Sequence, residues 1–133
     1  MRFFFDRNMS PYLARMMDIY DREHTVSHHD DDDRFNPRTT DLEWIDALAK
    51  DEPPWVVMSA DGRILKNRVE RAALSEAKLT FFCMTKTWAS GMDINEYTWR
   101  FIKIWPQIVE KAKSPTPRIY EVAQAKVDLR RDY

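Results

Sequence analysis

Short apolar segments alternate with helical patterns along the chain, and this alternation constrains the fold more than any other feature. The sequence predicts strands in the segments 2–6, 23–27, 55–59, 79–84 and 118–122. The stretches between them carry helical periodicity, starting near residues 11, 40, 67 and 94. Strands that alternate with helices favour an α/β domain with a mostly parallel central sheet. The 133 residues suffice for one such domain.

Several helices carry start signals. Ser10 is a typical N-cap and is followed by a proline in the first turn. Thr40 and Glu43 have the spacing of a capping box. The helix over residues 94–109 keeps its apolar residues on one face, and Pro106 within it predicts a kink or a restart.

The tryptophans divide into two predicted groups. Trp44, Trp55, Trp99 and Trp105 fall on inward-facing positions of the predicted elements, which indicates a role in the core. Trp88 follows a strand in a polar context and is the one we expect to be exposed. An exposed tryptophan is suited to stacking on unpaired bases, although packing at the edge of a core is the commoner use.

Composition excludes most familiar enzyme classes. The chain has only two glycines, so it lacks a glycine-rich phosphate loop, a dinucleotide fingerprint and a nucleophile elbow. Its single cysteine, Cys83, excludes cysteine zinc knuckles and an internal disulfide. The net charge of −1 combines an acidic N-terminal half with a basic C-terminal half. The acidic half suits cations and the basic half suits phosphates, or the two halves simply neutralise each other.

The sequence also predicts the compartment. Its longest apolar runs, 3–5 and 55–58, are far shorter than a membrane span. The N-terminus has no small-residue cleavage site, so we predict no signal peptide. An unpaired cysteine in an apolar run is typical of a reducing environment. We therefore expect a cytoplasmic protein without membrane contact.

Three aspartates lie at the ends of predicted strands or at the start of a predicted helix, in a pattern that suggests a metal site. Asp6 ends the first strand, Asp61 follows the strand 55–59, and Asp41 lies in the first turn of a helix. If the first and third strands are neighbours, these carboxylates converge where α/β proteins carry their sites. Divalent Mg²⁺ or Mn²⁺ relieves the repulsion between them and activates water against a phosphodiester. Alternatively, each aspartate serves only a turn or a helix dipole.

Three sequence blocks resemble the PIN-like domains, in particular the short group described with toxin–antitoxin modules of the VapC type. They are the D-x-N after the first strand, the T-D-x-x-W-I start of a helix and the S-x-D after the third strand, at residues 6–8, 40–45 and 59–61. The W-P-x-I at 105–108 resembles a late helix of the same family. The resemblance implies a compact three-layer α/β domain, which we place at residues 1–125.

The resemblance also implies an activity. Members are metal-dependent ribonucleases, often homodimers, that a cognate antitoxin neutralises. Carried over to this chain, Asp6, Asp41 and Asp61 match the metal-binding and catalytic acids, with Mg²⁺ or Mn²⁺ as cofactor and RNA as substrate. Asn8 matches a polar residue beside the first acid and is a candidate for substrate contact, and Glu43 is a candidate further ligand whose capping role competes.

One departure from the family pattern leaves a second reading open. A fourth acid is expected after the strand 79–84, but the next acid along the chain is Asp93. The chain is therefore either a metal-dependent endoribonuclease or a catalytically silent PIN-like module that binds RNA or a protein. A third possibility is a plain interaction protein.

Basic and polar residues after the third strand are candidates for holding substrate phosphates. They are Arg63, Lys66, Asn67 and Arg68. Arginine binds phosphate through a forked pair of donors and lysine as a point charge. The alternative is a solvated helix face.

Two further segments are predicted to lie outside the packed core. The histidine and aspartate tract 28–33 has no apolar periodicity and predicts a mobile loop that gates the site or contacts a partner. The segment 118–122 suits an edge strand, and residues 126–133 predict a charged C-terminal tail that is mobile or bound to a partner.

Overall fold

A computed structural model of the chain describes residues 1–88 and 91–130. The strands are β1 Arg2–Phe5, β2 Thr25–His28, β3 Trp55–Ser59, β4 Thr80–Met84, β5 Ile119–Val122 and β6 Val127–Arg130. The helices are α1 Pro11–Tyr20, α2 Asp41–Ala49, α3 Arg63–Lys66, α4 Arg68–Glu76 and α5 Ile94–Ala112. Short 3₁₀ turns occupy His29–Asp31 and Lys86–Trp88.

The strands form one sheet in the order β2-β1-β3-β4-β5-β6. The first five are parallel, and β6 alone runs antiparallel to its neighbour β5. The central strands are buried on both faces, as expected for a parallel sheet covered by helices. The predicted α/β fold with a mostly parallel sheet is confirmed.

Helices cover the two faces of the sheet and create two cores. On one face α1 and α5 pack on side chains such as Phe5, Met58 and Phe82. On the other face α2, α3 and α4 pack on side chains such as Phe4 and Phe81. Alternation along each strand sends successive side chains to opposite faces, which is why neighbouring phenylalanines serve different cores. The result is the three-layer arrangement predicted.

The predicted helix caps are present. Ser10 accepts a hydrogen bond from the backbone N–H of Leu13, with a donor–acceptor distance of 3.2 Å. Thr40 accepts one from the N–H of Glu43, also at 3.2 Å. These two caps fix where α1 and α2 begin, and therefore where Asp41 lies.

The prediction of a mobile C-terminal tail from residue 126 is wrong for the residues that the structure describes. Val127–Arg130 forms β6, in which Val127 is buried and pairs with Val122. The backbone N–H of Ala123 donates to the carbonyl of Lys126 and closes the hairpin at 2.9 Å. Because β6 covers β5, the predicted edge position of β5 is also wrong. The predicted tail at residues 131–133 lies outside the described residues.

Two tryptophan predictions are wrong. Trp88, expected to be exposed, is only 3% exposed, because the 3₁₀ turn folds its indole inward and its Nε1 donates to the carbonyl of Val122 at 2.9 Å. Trp99, expected inside, lies on the outer face of α5 and is 50% exposed beside Arg100. The other three inward predictions, for Trp44, Trp55 and Trp105, are confirmed.

Two remaining local predictions also change. Pro106 does not restart the helix, since α5 continues from Ile94 to Ala112 with the proline on its exposed side. The tract 28–33 is not a loose loop, because His28 ends β2 with its Nε2 2.7 Å from the Met9 carbonyl oxygen, and His29 is buried with its ring stacked on Phe35. Among the described helices, none has the length and apolar character needed to cross a membrane.

Candidate active site

The parallel pairing of β1 with β3 brings the ends of these strands together. Phe5 pairs with Met58, and the backbone N–H of Asp6 donates to the carbonyl of Met58 at 2.9 Å. Asp6 therefore begins where β1 leaves the sheet, and Asp61 follows the end of β3 beside it. This neighbour relation between the first and third strands is the condition on which the predicted cluster depended.

Asp6 is fixed in a buried position. The residue is only 3% exposed. Its carboxylate accepts hydrogen bonds from the Arg7 backbone N–H at 2.6 Å and from Ser59 Oγ at 3.1 Å. Burial raises the pKa of Asp6, and the nearby negative charge of Asp41 raises it further. The site thus holds a carboxylate whose ionisation is costly without a compensating cation.

Asn8 links the two strand ends. Its Oδ1 accepts the Ala60 backbone N–H at 2.8 Å and lies 3.2 Å from Ser59 Oγ, whose single hydrogen is shared between Asn8 and Asp6. Its Nδ2 is 3.4 Å from Asp6 Oδ2. The amide of Asn8 therefore orients Asp6 and the turn after β3, whereas the sequence suggested contact with substrate.

Asp61 is turned toward a neighbouring arginine. Arg63 approaches it with both ends of its guanidinium, Nε at 2.9 Å from Oδ1 and NH2 at 2.8 Å from Oδ2. This hydrogen-bonded pairing lowers the pKa of Asp61. The guanidinium itself is 88% exposed, so the pairing is open to solvent and to exchange.

Asp41 lies in the first turn of α2 and accepts the indole N–H of Trp44 at 2.9 Å. Its charge contributes to the raised pKa of Asp6 and also to the raised pKa of Arg63. Asp41 is therefore close to the ends of β1 and β3. Glu43 differs, because it is exposed and its carboxylate accepts the hydroxyl of Thr40 at 3.1 Å.

A fourth acid, Glu70, joins the cluster and was not predicted. Asn67 caps α4 by accepting the backbone N–H groups of Val69 and Glu70, each at 3.0 Å. The Glu70 carboxyl then lies beside that of Asp41. Burial, this contact and the charges of Asp41, Asp61 and Asp6 raise the pKa of Glu70 to about 7.

The surroundings of Glu70 favour its protonated form. Its Oε2 is buried and has no hydrogen-bond partner among the described residues. Protonation of Glu70 removes its repulsion of the neighbouring Asp41 carboxylate. The sequence contained a signal, because Glu70 stands three residues after Asn67. That spacing is also typical of a simple helix start, so it did not distinguish the two roles.

The four acids suit a hard divalent cation in their chemistry. All are oxygen donors, and their mutual repulsion is the penalty that a cation relieves. Within residues 1–88 and 91–130, however, no three His, Cys, Asp or Glu side chains are arranged as a ready-formed metal ligand set. Asp61 faces Arg63 and Asp41 faces Trp44, so binding requires those side chains to turn.

The predicted phosphate-binding residues separate into two groups. Arg63 and Lys66 line a cavity at the carboxyl end of the sheet, where Asp61 also contributes to the wall. Asn67 serves as the cap of α4, and Arg68 is an exposed residue of its first turn. The geometry thus assigns Arg63 and Lys66 to the neighbourhood of the acids.

The family model described as "PIN like domain" matches residues 1–86. The match runs from β1 to just beyond β4 and includes all four acids of the cluster. The chain belongs to the PIN-like domain family. Neither a curated protein nor a solved structure shows significant similarity to the chain.

Family membership relates the position of the acid cluster to the function that PIN-like domains commonly have. The matched residues 1–86 include Asp6, Asp41 and Asp61 and the strand ends beside which they lie. PIN-like domains are commonly nucleases, so a nuclease-type fold is shown. Helix α5 and strands β5 and β6 lie beyond the matched residues and complete the sheet and one helical layer.

Proposed function

We propose that this PIN-like domain is a divalent-metal-dependent endoribonuclease. The observation that supports the proposal most strongly is the convergence of Asp6, Asp41, Asp61 and Glu70 at the carboxyl ends of β1 and β3. Acids that repel one another at this edge of a parallel sheet are typical of a site completed by a cation.

In this proposal Asp6, Asp41 and Asp61 would hold Mg²⁺ or Mn²⁺, and Glu70 replaces Glu43 as the further acid. When bound, the cation would supply charge neutralisation at a phosphodiester and activate water for its hydrolysis. Ser59 and the Arg7 backbone N–H hold Asp6 in place. The proton that Glu70 holds would be released as the cluster binds the cation.

Arg63 has two roles in this account. In the structure it neutralises Asp61, and in the working enzyme it would turn to a phosphate of the RNA. A guanidinium binds carboxylate and phosphate with the same forked geometry, so exchange between the two needs only a change of rotamer. Lys66 on the cavity wall would add a second positive charge.

We further propose that the domain acts as the toxin of a toxin–antitoxin module, as a homodimer that a cognate antitoxin binds. Support comes from apolar side chains exposed on the outer helical layer, among them Tyr12 and Ile19 of α1 and Trp99 of α5. Exposed apolar surface of this kind is typical of protein contacts. The buried free thiol of Cys83 is consistent with action in the cytoplasm, where RNA is available.

A catalytically silent module that binds RNA or a protein is the second candidate. The observation that favours it is the absence of a ready-formed ligand set among the described residues, together with the pairing of Asp61 by Arg63. In that case Arg63 would take the place of the cation permanently, and the acids would stabilise only the fold.

Cleavage of a mixed panel of single-stranded and structured RNAs separates the two candidates. The panel is incubated with Mn²⁺, Mg²⁺ or EDTA, using the wild type, Asp61→Asn and the control Asp46→Asn. Asp46 is an exposed acid of α2 that pairs with Lys50, outside the cluster. The nuclease predicts cutting that needs metal and is lost only in Asp61→Asn. Equal or absent cutting in all three proteins contradicts it.

A further inference from the structure

A cavity of about 920 Å³ lies next to the acid cluster. It shares Asn8 and Asp61 with the site and continues across the ends of β3 and β4 to the start of α5. Cavities of this volume are typical of sites for small organic ligands. The catalytic proposal uses only the edge formed by Asp61, Arg63 and Lys66, so the rest of the cavity needs its own explanation.

The wall opposite the acids is apolar and aromatic. Trp88 and Tyr97 lie with their ring centroids 4.9 Å apart, and both contribute to the wall together with Met84, Met92 and Ile94. Trp88 is only 3% exposed and forms the back of this wall, where its bond to the Val122 carbonyl holds it, so the accessible surface is that of Tyr97, Met92 and Ile94. A rigid aromatic surface beside flexible thioethers fits a flat, partly polar ring better than an elongated chain.

The remaining charge at the cavity is positive. Its acids are occupied, since Asp61 pairs with Arg63, Glu121 pairs with Arg130, and Asp93 caps α5 by accepting the Glu96 N–H. Two further cations, Lys66 and Lys86, line the wall, and within the described residues neither has a carboxylate partner. The cavity therefore combines an apolar wall with ammonium groups that lack counter-charges.

We propose that the cavity binds the base of an unpaired ribonucleotide while Lys66 and Lys86 hold the adjoining phosphates of the strand. This inference rests on the proposed function, because the nucleotide whose base the cavity binds is the one next to the phosphodiester that the proposed nuclease cleaves. Packing against Tyr97 and Met92 would require the base to leave any duplex, so the cavity selects single-stranded RNA. A nucleotide fits this cavity better than an aliphatic ligand does, because its base matches the apolar wall and its phosphates match the lysines.

The test measures binding without cleavage. Fluorescence anisotropy follows a labelled eight-nucleotide RNA, in EDTA and in Ca²⁺, against the same strand with one abasic position scanned along it. The comparison strands are the matching duplex and single-stranded DNA. We expect one position at which loss of the base weakens binding about tenfold, and weaker binding of the duplex. Abasic strands that all bind like the intact strand would overturn the proposal, as would no binding in either buffer.

Variants assign the effect to the cavity. Met92→Ala should weaken binding of the intact strand several-fold while leaving the abasic strand unchanged. Met16→Ala is the control, because Met16 is also partly buried against the same core but lies outside the cavity. Lys86→Ala should weaken both strands, unlike the exposed Lys103→Ala on α5. Equal effects of Met92→Ala and Met16→Ala would contradict the base site.

These outcomes are independent of the nuclease proposal. Base-dependent binding by a protein that never cuts RNA would contradict catalysis but retain the base site. Metal-dependent cutting by a protein that binds abasic and intact strands equally would retain catalysis but remove the base site. Equal binding of single-stranded DNA and RNA would retain the base site and overturn its assignment to a ribonucleotide.

Discussion

At the scale of single residues, burial and the charges of neighbouring carboxylates raise the pKa of Asp6 and of Glu70. Asp6 is buried, Asp41 contacts Glu70, and only Asp61 has a full positive partner in Arg63. The sequence predicted three of these acids from their positions at strand ends and at a helix start. It could not predict Glu70, because the contact with Asp41 depends on how α4 packs beside α2.

The raised pKa of Glu70 predicts a pH-dependent stability. With a pKa of about 7 in the folded chain against 4.5 as its ordinary value, the folded state favours the protonated group. This contribution is fully present below pH 4.5 and is lost as the pH rises through 7. Glu70→Gln should therefore gain about 1 kcal/mol over the wild type at pH 8 and nothing at pH 4.

Urea unfolding at pH 4 and pH 8 measures the effect of Glu70→Gln. Glu76→Gln is the matched control, since Glu76 is exposed at the other end of α4. If both substitutions change the free energy of unfolding by the same amount at both pH values, the pKa of Glu70 is not raised in the folded chain.

Arg63 competes with a cation for Asp61, which leads to a second prediction at this scale. Arg63→Gln should tighten Mn²⁺ binding about tenfold, because it frees both oxygens of Asp61. Calorimetric titration with Mn²⁺ provides the measurement. Arg68→Gln removes the same charge from a neighbouring exposed position and should change the affinity much less. Identical gains in both variants would show only a general charge effect.

At the scale of elements, helix caps and strand pairing place the site. The caps Thr40 and Asn67 fix the first turns of α2 and α4, and those turns carry Asp41 and Glu70. The apolar strands and these caps could be predicted because their signals are local. Strand β6 could not, since Val127 alone is buried and its partner Val122 is supplied by the fold.

The cap of α4 gives a prediction at this scale. Asn67→Ala removes the acceptor of the Val69 and Glu70 N–H groups and should cost about 1 kcal/mol of stability. Because the cap also orients Glu70, the variant should reduce metal-dependent cleavage at temperatures where it stays folded. Circular dichroism and a cleavage assay report the two effects. Asn67→Asp keeps the acceptor and should restore the stability.

Strand β6 gives a second prediction at the same scale. Val127→Asp buries a charge against Val122 and should lower the free energy of unfolding by about 2 kcal/mol or more. Leu129→Asp in the same strand should cost well under 1 kcal/mol, because Leu129 is 42% exposed. Thermal unfolding compares the pair. A tail that is not part of the sheet would make both substitutions equally harmless.

At the scale of the whole molecule, the candidate site and the cavity lie at the same end of the sheet. The carboxyl ends of its parallel strands carry the acid cluster, and the same edge carries the cavity with Lys66 and Lys86. The alternation of strands and helices was enough to predict this three-layer plan. The cavity could not be predicted, because Trp88 reaches it through a turn whose direction no local pattern indicates.

The most direct test of the account is Mn²⁺ binding by the whole chain. Isothermal titration, with Mn²⁺ electron paramagnetic resonance as a second readout, compares the wild type with Asp6→Asn. Asparagine keeps the shape of the side chain and an acceptor for the Arg7 N–H, and its Nδ2 can donate to the Ser59 hydroxyl oxygen instead of accepting from it, so the fold should remain. The account predicts that the wild type binds Mn²⁺ and that Asp6→Asn loses this binding while its melting temperature stays within a few degrees. Equal binding by both proteins, or none by the wild type, would contradict the metal site on which the proposed ribonuclease depends.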